Sequence, residues 1–449
     1  MKRLLWELSR EETQMGIKRF FFVLIISLSV NLMGQSLSET VDIVLKNNAS
    51  IQAKMQAVIA AQKQAEATRA NTLPTINFDG TYNHITHVAV MDVAAQLPPS
   101  LQGGFPPIQL GNYDTYDLGI SANYLLFTGF AHKNSIAIKN EQQKLSENQL
   151  IKTQKEAAFQ AVAAYRRVQS RYFEISSLDS AKRRTELQLQ RIKIIVGQGM
   201  ALALDTLELT LAKLSYTQKI IAAKSALESD REFLNNLAGQ RIEVEPLLEF
   251  LFTSDEETYY GEKDERLKSL KIQESILTLN KALSKSGYYP VVALNAAYKY
   301  GNPGADIIQR EWMDYAVWGV GVHWNLFRWG ADKKTAEASE AQIKSLQHQY
   351  QVLNDNIKTE FDKSKRELKS LKEQLKVLAA ALRVAKEKLR LINNRYQQGM
   401  ATTTDFNDAN LNMAETELNY KRFVVAVALK SNELDYKSGK PIQQWRLEQ

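Results

Sequence analysis

Few residues of this chain have the types and spacing that chemistry requires. His84 and His87 form an HxxH pair, but they fall in a predicted strand, where side chains three residues apart point to opposite faces. No cysteine is present and no carboxylate cluster accompanies them, so joint metal ligation is not expected. The segment GNPGAD at 301–306 lacks the spacing of a phosphate-binding loop and predicts a hairpin turn. Without a nucleophile–base constellation, the sequence predicts neither an enzyme nor a cofactor or metal site.

Composition favours a helical, exported chain. The net charge is +7, but cations and anions are interspersed along predicted helices, so no nucleic-acid partner is expected. Only 20 Gly and 9 Pro interrupt the 449 residues, which predicts long helices. Two cations precede an apolar stretch at 20–30 that is too short to span a bilayer, and residues 1–34 therefore predict a secretory signal peptide. Acidic residues before Met15 are unusual in a signal, so Met15 is a candidate true start.

The sequence repeats itself at an interval of 200 residues. Phe127 and Phe327 end two alternating segments, and QGMA recurs at 198–201 and 398–401. Constant spacing between repeated landmarks predicts two structurally equivalent halves. We expect repeat 1 over 35–239, a linker strapped across the outside of the body over 240–262, repeat 2 over 263–439 and a tail over 440–449.

Each repeat contains a pair of segments with period two. They predict strands at about 75–88 and 115–127, and at about 291–300 and 315–327. Apolar or aromatic residues alternate with small or polar ones, which is typical of a strand between two environments. A soluble sheet packed on helices has the same period, but roughly ten residues suffice to cross a bilayer and the aromatic residues resemble membrane girdles. The side chains predicted to face lipid are Leu118, Ile120, Tyr124, Trp318, Val320, Val322 and Trp324.

The number of strands limits what one chain can enclose. Four strands cannot close a barrel with a lumen, and eight strands from two chains would leave an interior filled by side chains. Twelve strands from three chains would leave a pore. The small and polar residues on the opposite strand face favour water in that pore.

The rest of each repeat predicts a helical hairpin, at about 130–238 and 331–438. The long arms run unbroken for roughly 100 Å at 1.5 Å per residue. Apolar residues in the second arm alternate in steps of three and four, which predicts a coiled-coil seam. Gly199 and Gly399 end these arms because glycine adopts the left-handed conformation without a side-chain penalty. Asp205 and Asp405 lie near the following helix N-termini, where aspartate caps a helix or complements its dipole.

These landmarks resemble the TolC-like outer-membrane efflux protein family over residues 37–439. The resemblance is carried by NASIQA, RANTLP, SGYYP, LFTG and LFRWG around the strands, and by GQGMALALD and RYQQGMATTTDFNDA at the hairpin turns. It implies a mainly α fold with a membrane β-barrel, in which a homotrimer forms a 12-stranded barrel and a periplasmic α-helical coiled-coil tunnel. The implied function is a passive exit duct of a tripartite efflux or type I secretion system in the Gram-negative outer membrane. The implied partners are a periplasmic adaptor, an inner-membrane transporter of RND or ABC type, and outer-membrane lipid.

The resemblance also implies roles for residues at the hairpin tips. Gly199, Met200, Gly399 and Met400 match the adaptor-contacting positions, although Gln198 and Gln398 stand where the family has apolar residues. Asp405 and Asp408, with Asp205 and Tyr396, match the periplasmic gate, where clustered carboxylates would attract cations. The alternative interpretations are that Gly and Met only build the turn and that the aspartates only cap helices. The competing class is a periplasmic coiled-coil adaptor or scaffold, which has helical hairpins but no need of four strands.

Overall fold

The computed structural model describes residues 34–92, 98, 108–245, 259–306 and 311–447. Outside the described residues lie most of the predicted signal peptide (1–33) and part of the predicted linker (246–258). The others are 93–97, 99–107, 307–310 and 448–449. The chain divides into two compact units. The first comprises the described parts of Met1–Met55, Gln149–Leu267 and Leu353–Gln449, and the second comprises those of Gln56–Asn148 and Lys268–Val352.

Helices build the first unit and form part of the second. In chain order the helices of the protein are α1 (Leu37–Asn47), α2 (Ala49–Ala70), α3 (Ala131–Gly197), α4 (Ala203–Ala238), α5 (Glu265–Ser284), α6 (Ala331–Gln397) and α7 (Thr403–Lys437), with short 3-10 turns at Gly261–Lys263, Lys285–Tyr288 and Ile442–Gln444. The helix α1 begins at a capping box, in which the Glu39 amide donates to Ser36 Oγ and the Ser36 amide donates to Glu39 Oε2. The arms α3 and α6 each have 67 residues, because neither Gly nor Pro occurs in them before the last residue of each arm.

Polar contacts fix the chain ends of the first unit to the helices. The fully buried Tyr165 hydroxyl donates to Gln35 O at 2.8 Å and accepts from the Glu245 amide at 3.1 Å. Burial raises the pKa of Tyr165 to about 12, so the hydroxyl keeps its proton at neutral pH. At the other end of the chain, the buried Asp435 carboxylate accepts from the Arg446 guanidinium at 2.9 Å and holds the C-terminal tail against α7.

The second unit contains a four-stranded antiparallel sheet of order β1–β4–β5–β6. Its strands are β1 (Thr75–His84), β4 (Asp114–Thr128), β5 (Val291–Asn302) and β6 (Met313–His323), while β2 (Ala89–Met91) and β3 (Ile108–Leu110) form a separate two-stranded sheet. The repeats meet at the β4–β5 pair, where Ile120 lies opposite Tyr298. One continuous sheet therefore combines the two strand pairs, with a bulge between Leu125 and Phe127.

Two strands are shorter than the sequence indicates. The segment predicted to run to residue 88 ends at His84, and the chain then enters β2 at Ala89. The segment predicted to run to residue 327 ends at His323, which pairs with Val291, the first residue of β5. Pro290 precedes Val291 and has no backbone N–H to donate, so the pairing does not continue. Trp324 thus lies beyond β6, and its indole Nε1 donates to Tyr288 O at 3.2 Å.

Among the described residues, no helix combines the length and the apolar character needed to cross a membrane.

Candidate functional site

One face of the four-stranded sheet is apolar. The register aligns Phe78, Ile120 and Tyr298 across β1, β4 and β5, and it aligns Leu294 with Val320 on the last strand pair. Large side chains of this face are exposed in the single chain; they include Ile76, Phe78, Leu118, Ile120, Trp318, Val320 and Val322, while Tyr124 is half-buried. An exposed apolar surface of this extent on a sheet needs an apolar environment or a partner.

The opposite face of the same sheet is polar. Ser121 Oγ donates to Asp79 Oδ2 at 3.1 Å, and Lys299 Nζ lies 3.1 Å from Asp117 Oδ2. Gly319 and Gly321 add no side chain on β6, and the space beside each is open. Adjacent residues of one strand therefore lie on faces of opposite polarity, the pattern of barrels whose outer face is apolar and whose interior is polar.

Aromatic clusters lie at both ends of the apolar face. At one end, the rings of Tyr82 and Tyr116 are 5.1 Å apart, and Trp312 stacks on Tyr300 at 5.0 Å. The hydroxyl of Tyr82 donates to Asp114 Oδ1 at 2.9 Å, which gives these rings a polar, water-facing edge.

The second cluster lies eleven residues along β4 from Tyr116. Phe127 contacts Phe130 at 5.4 Å between ring centroids, and Phe130 contacts Tyr289 at 5.5 Å. At about 3.3 Å per residue the two clusters are about 35 Å apart along the strand, or about 25 Å in height at a tilt near 45°. That height equals the apolar band of an outer-membrane barrel.

The two hairpin tips adopt the same backbone turn. Gly199 and Gly399 have φ of 73° and 72°, the left-handed region that favours glycine. The amides of Met200 and Met400 donate to Ile195 O and Arg395 O, and the glycine amides donate to Val196 O and Tyr396 O. This is the Schellman arrangement, which satisfies the last carbonyls of each arm and leaves both methionines exposed.

The helices that leave the tips begin differently. At the second tip, Thr402 Oγ1 accepts from the Asp405 amide while Asp405 Oδ2 accepts from the Thr402 amide at 2.9 Å. The Thr402 amide and, second, the Thr402 hydroxyl donate to the Asp405 carboxylate, and these hydrogen bonds hold the pKa of Asp405 below its usual range. The first tip has Leu202 at the corresponding position, with no side-chain cap. Asp405 thus acts as a cap in this structure, whereas Asp205 is half-buried in the first turn without a capping box.

The sequence matches the outer membrane efflux protein family over residues 40–240 and 267–436. The chain belongs to this family. It is therefore an outer-membrane efflux channel with a periplasmic extension, and the predicted relationship to TolC-like proteins is confirmed. The match does not favour the competing class of periplasmic adaptors.

Solved structures of outer-membrane proteins share the fold. CusC, a transmembrane channel, is 13% identical with a TM-score of 0.75, and the match covers 90% of this chain and 92% of that one. The CmeC outer membrane channel of Campylobacter jejuni is 13% identical with a TM-score of 0.73, covering 90% and 86%. The outer membrane protein VceC of Vibrio cholerae is 15% identical with a TM-score of 0.71, covering 90% and 96%. No curated protein matches the sequence significantly.

Tyr396 and Asp408, the other residues predicted to form the gate, lie in different surroundings. Tyr396 stacks on Phe406 at 5.6 Å and its hydroxyl lies 3.1 Å from Thr403 Oγ1, so it contacts the helix that follows its own tip. Partial burial raises the pKa of Tyr396. Asp408 is exposed one turn above Asp405, and its carboxylate is not part of the capping box.

Three contacts between the hairpins were not predicted from the sequence. Gln188 Nε2 of α3 donates to Asn393 Oδ1 of α6 at 2.6 Å, and Thr404 Oγ1 of α7 donates to Glu208 Oε2 of α4 at 3.2 Å.

The third contact is the most buried. Arg184 Nε of α3 donates at 2.7 Å to Oδ1 of the fully buried Asn410 of α7. Burial lowers the pKa of Arg184, which still carries its charge at neutral pH. The available signal was a polar residue at 410 in the otherwise apolar stripe formed by Phe406, Ala409, Met413 and Ala414.

These contacts also measure a stagger between the tips. Gln188 lies eleven residues before Gly199 but its partner Asn393 lies six before Gly399. Glu208 lies nine residues after the first glycine and Thr404 five after the second. Both pairs join helices that run in the same direction, so the first tip extends beyond the second by four to five residues, or about 6–7 Å.

The predicted HxxH pair lies at the rim of the sheet, in the described part of the chain. His84 Nδ1 lies 2.8 Å from Asp114 Oδ1 at the sheet rim, and no group of three or more potential His, Cys, Asp or Glu ligands occurs there.

Proposed function

We propose that three copies of this chain form a passive exit duct, in which four strands from each copy close one twelve-stranded barrel. The observation that carries the proposal is the two-faced sheet, because adjacent side chains Ile120 and Ser121 point to an apolar and a polar medium respectively. The outer edges of β1 and β6 have no partner in the described chain. Unpaired backbone groups cost several kcal/mol each in a bilayer, so these edges must pair with other copies.

The direct experiment measures mass and conductance together. Purified protein in detergent is expected to have the mass of three chains, and its insertion into a planar bilayer is expected to give discrete conductance steps. After alkaline extraction of peripheral proteins from the membranes, sucrose-gradient fractionation should recover this protein in the outer-membrane fraction. A monomer that stays soluble without detergent and conducts no ions would contradict the duct.

The tips are the docking surface for a periplasmic adaptor in this proposal, and the adaptor connects the duct to an inner-membrane transporter. Met200 and Met400 are exposed, and flexible thioether side chains suit adaptable contacts. Because the first tip extends about 6–7 Å further and also exposes Leu202, Met200 meets an incoming partner before Met400 does. A photo-cross-linker at Met200 should therefore capture the adaptor more efficiently than one at Met400. Equal capture would contradict the order of contact.

The same helices form the periplasmic gate in our proposal. To open the gate, the second hairpin (α6 and α7) moves away from the first (α3 and α4), and this movement breaks the Gln188–Asn393 and Glu208–Thr404 hydrogen bonds. Replacing Thr404 with Val removes one bond while keeping the side-chain shape, and it should increase the fraction of time for which purified channels conduct. Thr206→Val is the matched control, because Thr206 bonds only to the backbone of its own helix. An unchanged open fraction in the Thr404 variant would remove this contact from the gate.

The carboxylates of the gate have unequal roles in the proposal. Asp405 is occupied by the capping box, so Asp408 is the better candidate for attracting cations to the pore. Asp408→Asn should weaken block of single-channel current by divalent cations more than Asp405→Asn does. If Asp405→Asn weakens the block more than Asp408→Asn does, Asp408 is not the residue that attracts cations to the pore.

A further inference from the structure

Three charged side chains on the polar face of the sheet surround one glycine. The register places Asp79 of β1 and Lys299 of β5 on either side of Gly119 of β4. Asp117 lies two residues from Gly119 on the same strand and therefore points to the same face. In the described strands β1, β4, β5 and β6, no other Asp, Glu, Lys or Arg lies on this face. The formal charges of the polar face are thus confined to one place.

The glycine allows the lysine to lie flat against the sheet. A Cβ atom at position 119 would be 3.1 Å from Lys299 Cγ and 3.2 Å from Tyr298 O, so a larger residue there would displace the lysine stem. With Gly119 in place, the stem crosses the surface of β4, and Lys299 Nζ lies 3.1 Å from Asp117 Oδ2. The shape of β4 therefore holds the ammonium group next to one particular carboxylate.

The two carboxylates have different partners. Asp117 is paired with the Lys299 ammonium group, which compensates its charge. Asp79 Oδ2 accepts a hydrogen bond of 3.1 Å from Ser121 Oγ, which is a neutral donor and leaves the negative charge in place. The three charged side chains together therefore carry one net negative charge per chain, and Asp79 is exposed on the surface of the sheet.

A twelve-stranded barrel is narrow enough for these charges to act on an ion at its axis. Strands about 4.8 Å apart and tilted near 45° give a backbone circumference of about 80 Å and a diameter of about 26 Å. Side chains that extend about 5 Å from the wall leave a lumen about 8 Å in radius. The Debye length is about 10 Å at 0.1 M salt and about 3 Å at 1 M. An ion on the axis therefore feels the wall charges at 0.1 M and is screened from them at 1 M.

We propose that Asp79, Asp117 and Lys299, here called the charge belt, make the barrel conduct cations and neutral molecules in preference to anions of similar size. The inference rests on the proposed duct, in which the polar face lines the lumen and each of three copies adds one net negative charge. Lys299 sets the strength of the preference because it cancels the charge of Asp117. The belt lies on the sheet and Asp408 lies on α7, so the two can be varied independently.

Reversal potentials of single channels in planar bilayers test the charge belt. A KCl gradient centred near about 0.1 M gives the ratio of K⁺ to Cl⁻ permeability under conditions in which the belt is not screened. Asp79→Asn removes the uncompensated charge and should lower this ratio, and Asp79→Lys should lower it further. Lys299→Gln should raise the ratio instead, because Asp117 loses its counter-charge. All three shifts should shrink in a gradient centred near about 1 M.

Asp314→Asn is the matched control. Asp314 pairs with Tyr300 in the register and so lies on the apolar side of the wall, outside the lumen. Removing its charge should leave the permeability ratio unchanged. If the belt variants conduct with the wild-type ratio, or if Asp314→Asn shifts the ratio as much as Asp79→Asn does, the charge belt is wrong while the duct stands. If the wild-type protein forms no conducting oligomer, the proposed function fails and the charge belt fails with it.

Discussion

The two faces of the sheet make opposite predictions for the same substitution at neighbouring positions. Ile120 lies on the apolar face of β4, with Phe78 and Tyr298 as its cross-strand neighbours. It is four residues from the rim residue Tyr116, which places it about 13 Å along the strand and about 9 Å below the rim at a 45° tilt. Arginine at this depth should therefore lie well inside the hydrocarbon region.

The expected cost follows from that depth. An arginine on the lipid face costs about 2–4 kcal/mol at the bilayer midplane and about 0–1 kcal/mol near the interface. For Ile120→Arg we expect the upper range, equivalent to a change of about 30- to 700-fold in the folding equilibrium at 1.4 kcal/mol per tenfold. Ser121→Arg is the matched control, because its side chain would lie on the polar face beside Asp79. Its cost should remain within about 1 kcal/mol.

Denaturant titration of protein folded into liposomes measures both variants. Tryptophan fluorescence reports the transition, since Trp318 lies on the apolar face of the sheet and is expected to leave lipid on unfolding. A third variant, Tyr116→Arg, tests the depth dependence and should cost less than Ile120→Arg. If Ser121→Arg is as destabilising as Ile120→Arg, the two faces do not contact different media and the barrel assignment is refuted.

Three further predictions concern the helices. Thr402→Ala removes the cap of α7 and should destabilise its first turn by about 0.5–2 kcal/mol, seen as faster amide exchange there, whereas Leu202→Ala should change exchange at the first tip little. Because the folded-state pKa of Asp405 is depressed, its capping contribution is present above the unfolded value of 3.8 and is lost as the pH falls through the folded value. Acid should thus release amide protection at the second tip before the first; simultaneous release would contradict this. Asn410→Leu should lower stability by about 1–3 kcal/mol in thermal unfolding, because it leaves the partly buried Arg184 guanidinium without its acceptor. A cost no greater than that of the exposed Asn412→Leu would argue against this role of Asn410.

Local patterns were sufficient to predict the elements and the faces of the sheet. Period two over 118–126 places Leu118, Ile120 and Tyr124 on one side, and the register of the structure has them there because side chains alternate along any strand. The long arms follow in the same way from the absence of Gly and Pro. Both signals lie within one element, so no knowledge of its partners is needed.

Contacts between the repeats could not be predicted in this way. The β4–β5 pair joins residues about 180 positions apart in the chain, and a strand's own alternation does not specify its neighbour. The repeat also suggested equal roles for Asp205 and Asp405, but the capping box needs a hydroxyl three residues earlier, which Thr402 has and Leu202 lacks. The duplication therefore predicted the backbone conformation that the two tips share, but it did not predict the different contacts of matching side chains.

The duplication also explains how one chain can build a closed ring from two kinds of edge. Within the chain, repeat 1 contacts repeat 2 through β4 and β5 in the sheet, and through contacts of α3 and α4 with α6 and α7 in the helices. The free edges of the sheet are β1, from repeat 1, and β6, from repeat 2. Any joint between copies must therefore again bring repeat 1 against repeat 2. In the antiparallel sheet, β1 and β6 run in opposite directions, so pairing β6 with the next β1 continues the antiparallel order. A joint between β6 and the next β1 thus repeats the pairing of repeat 1 with repeat 2, as a closed ring of identical copies requires.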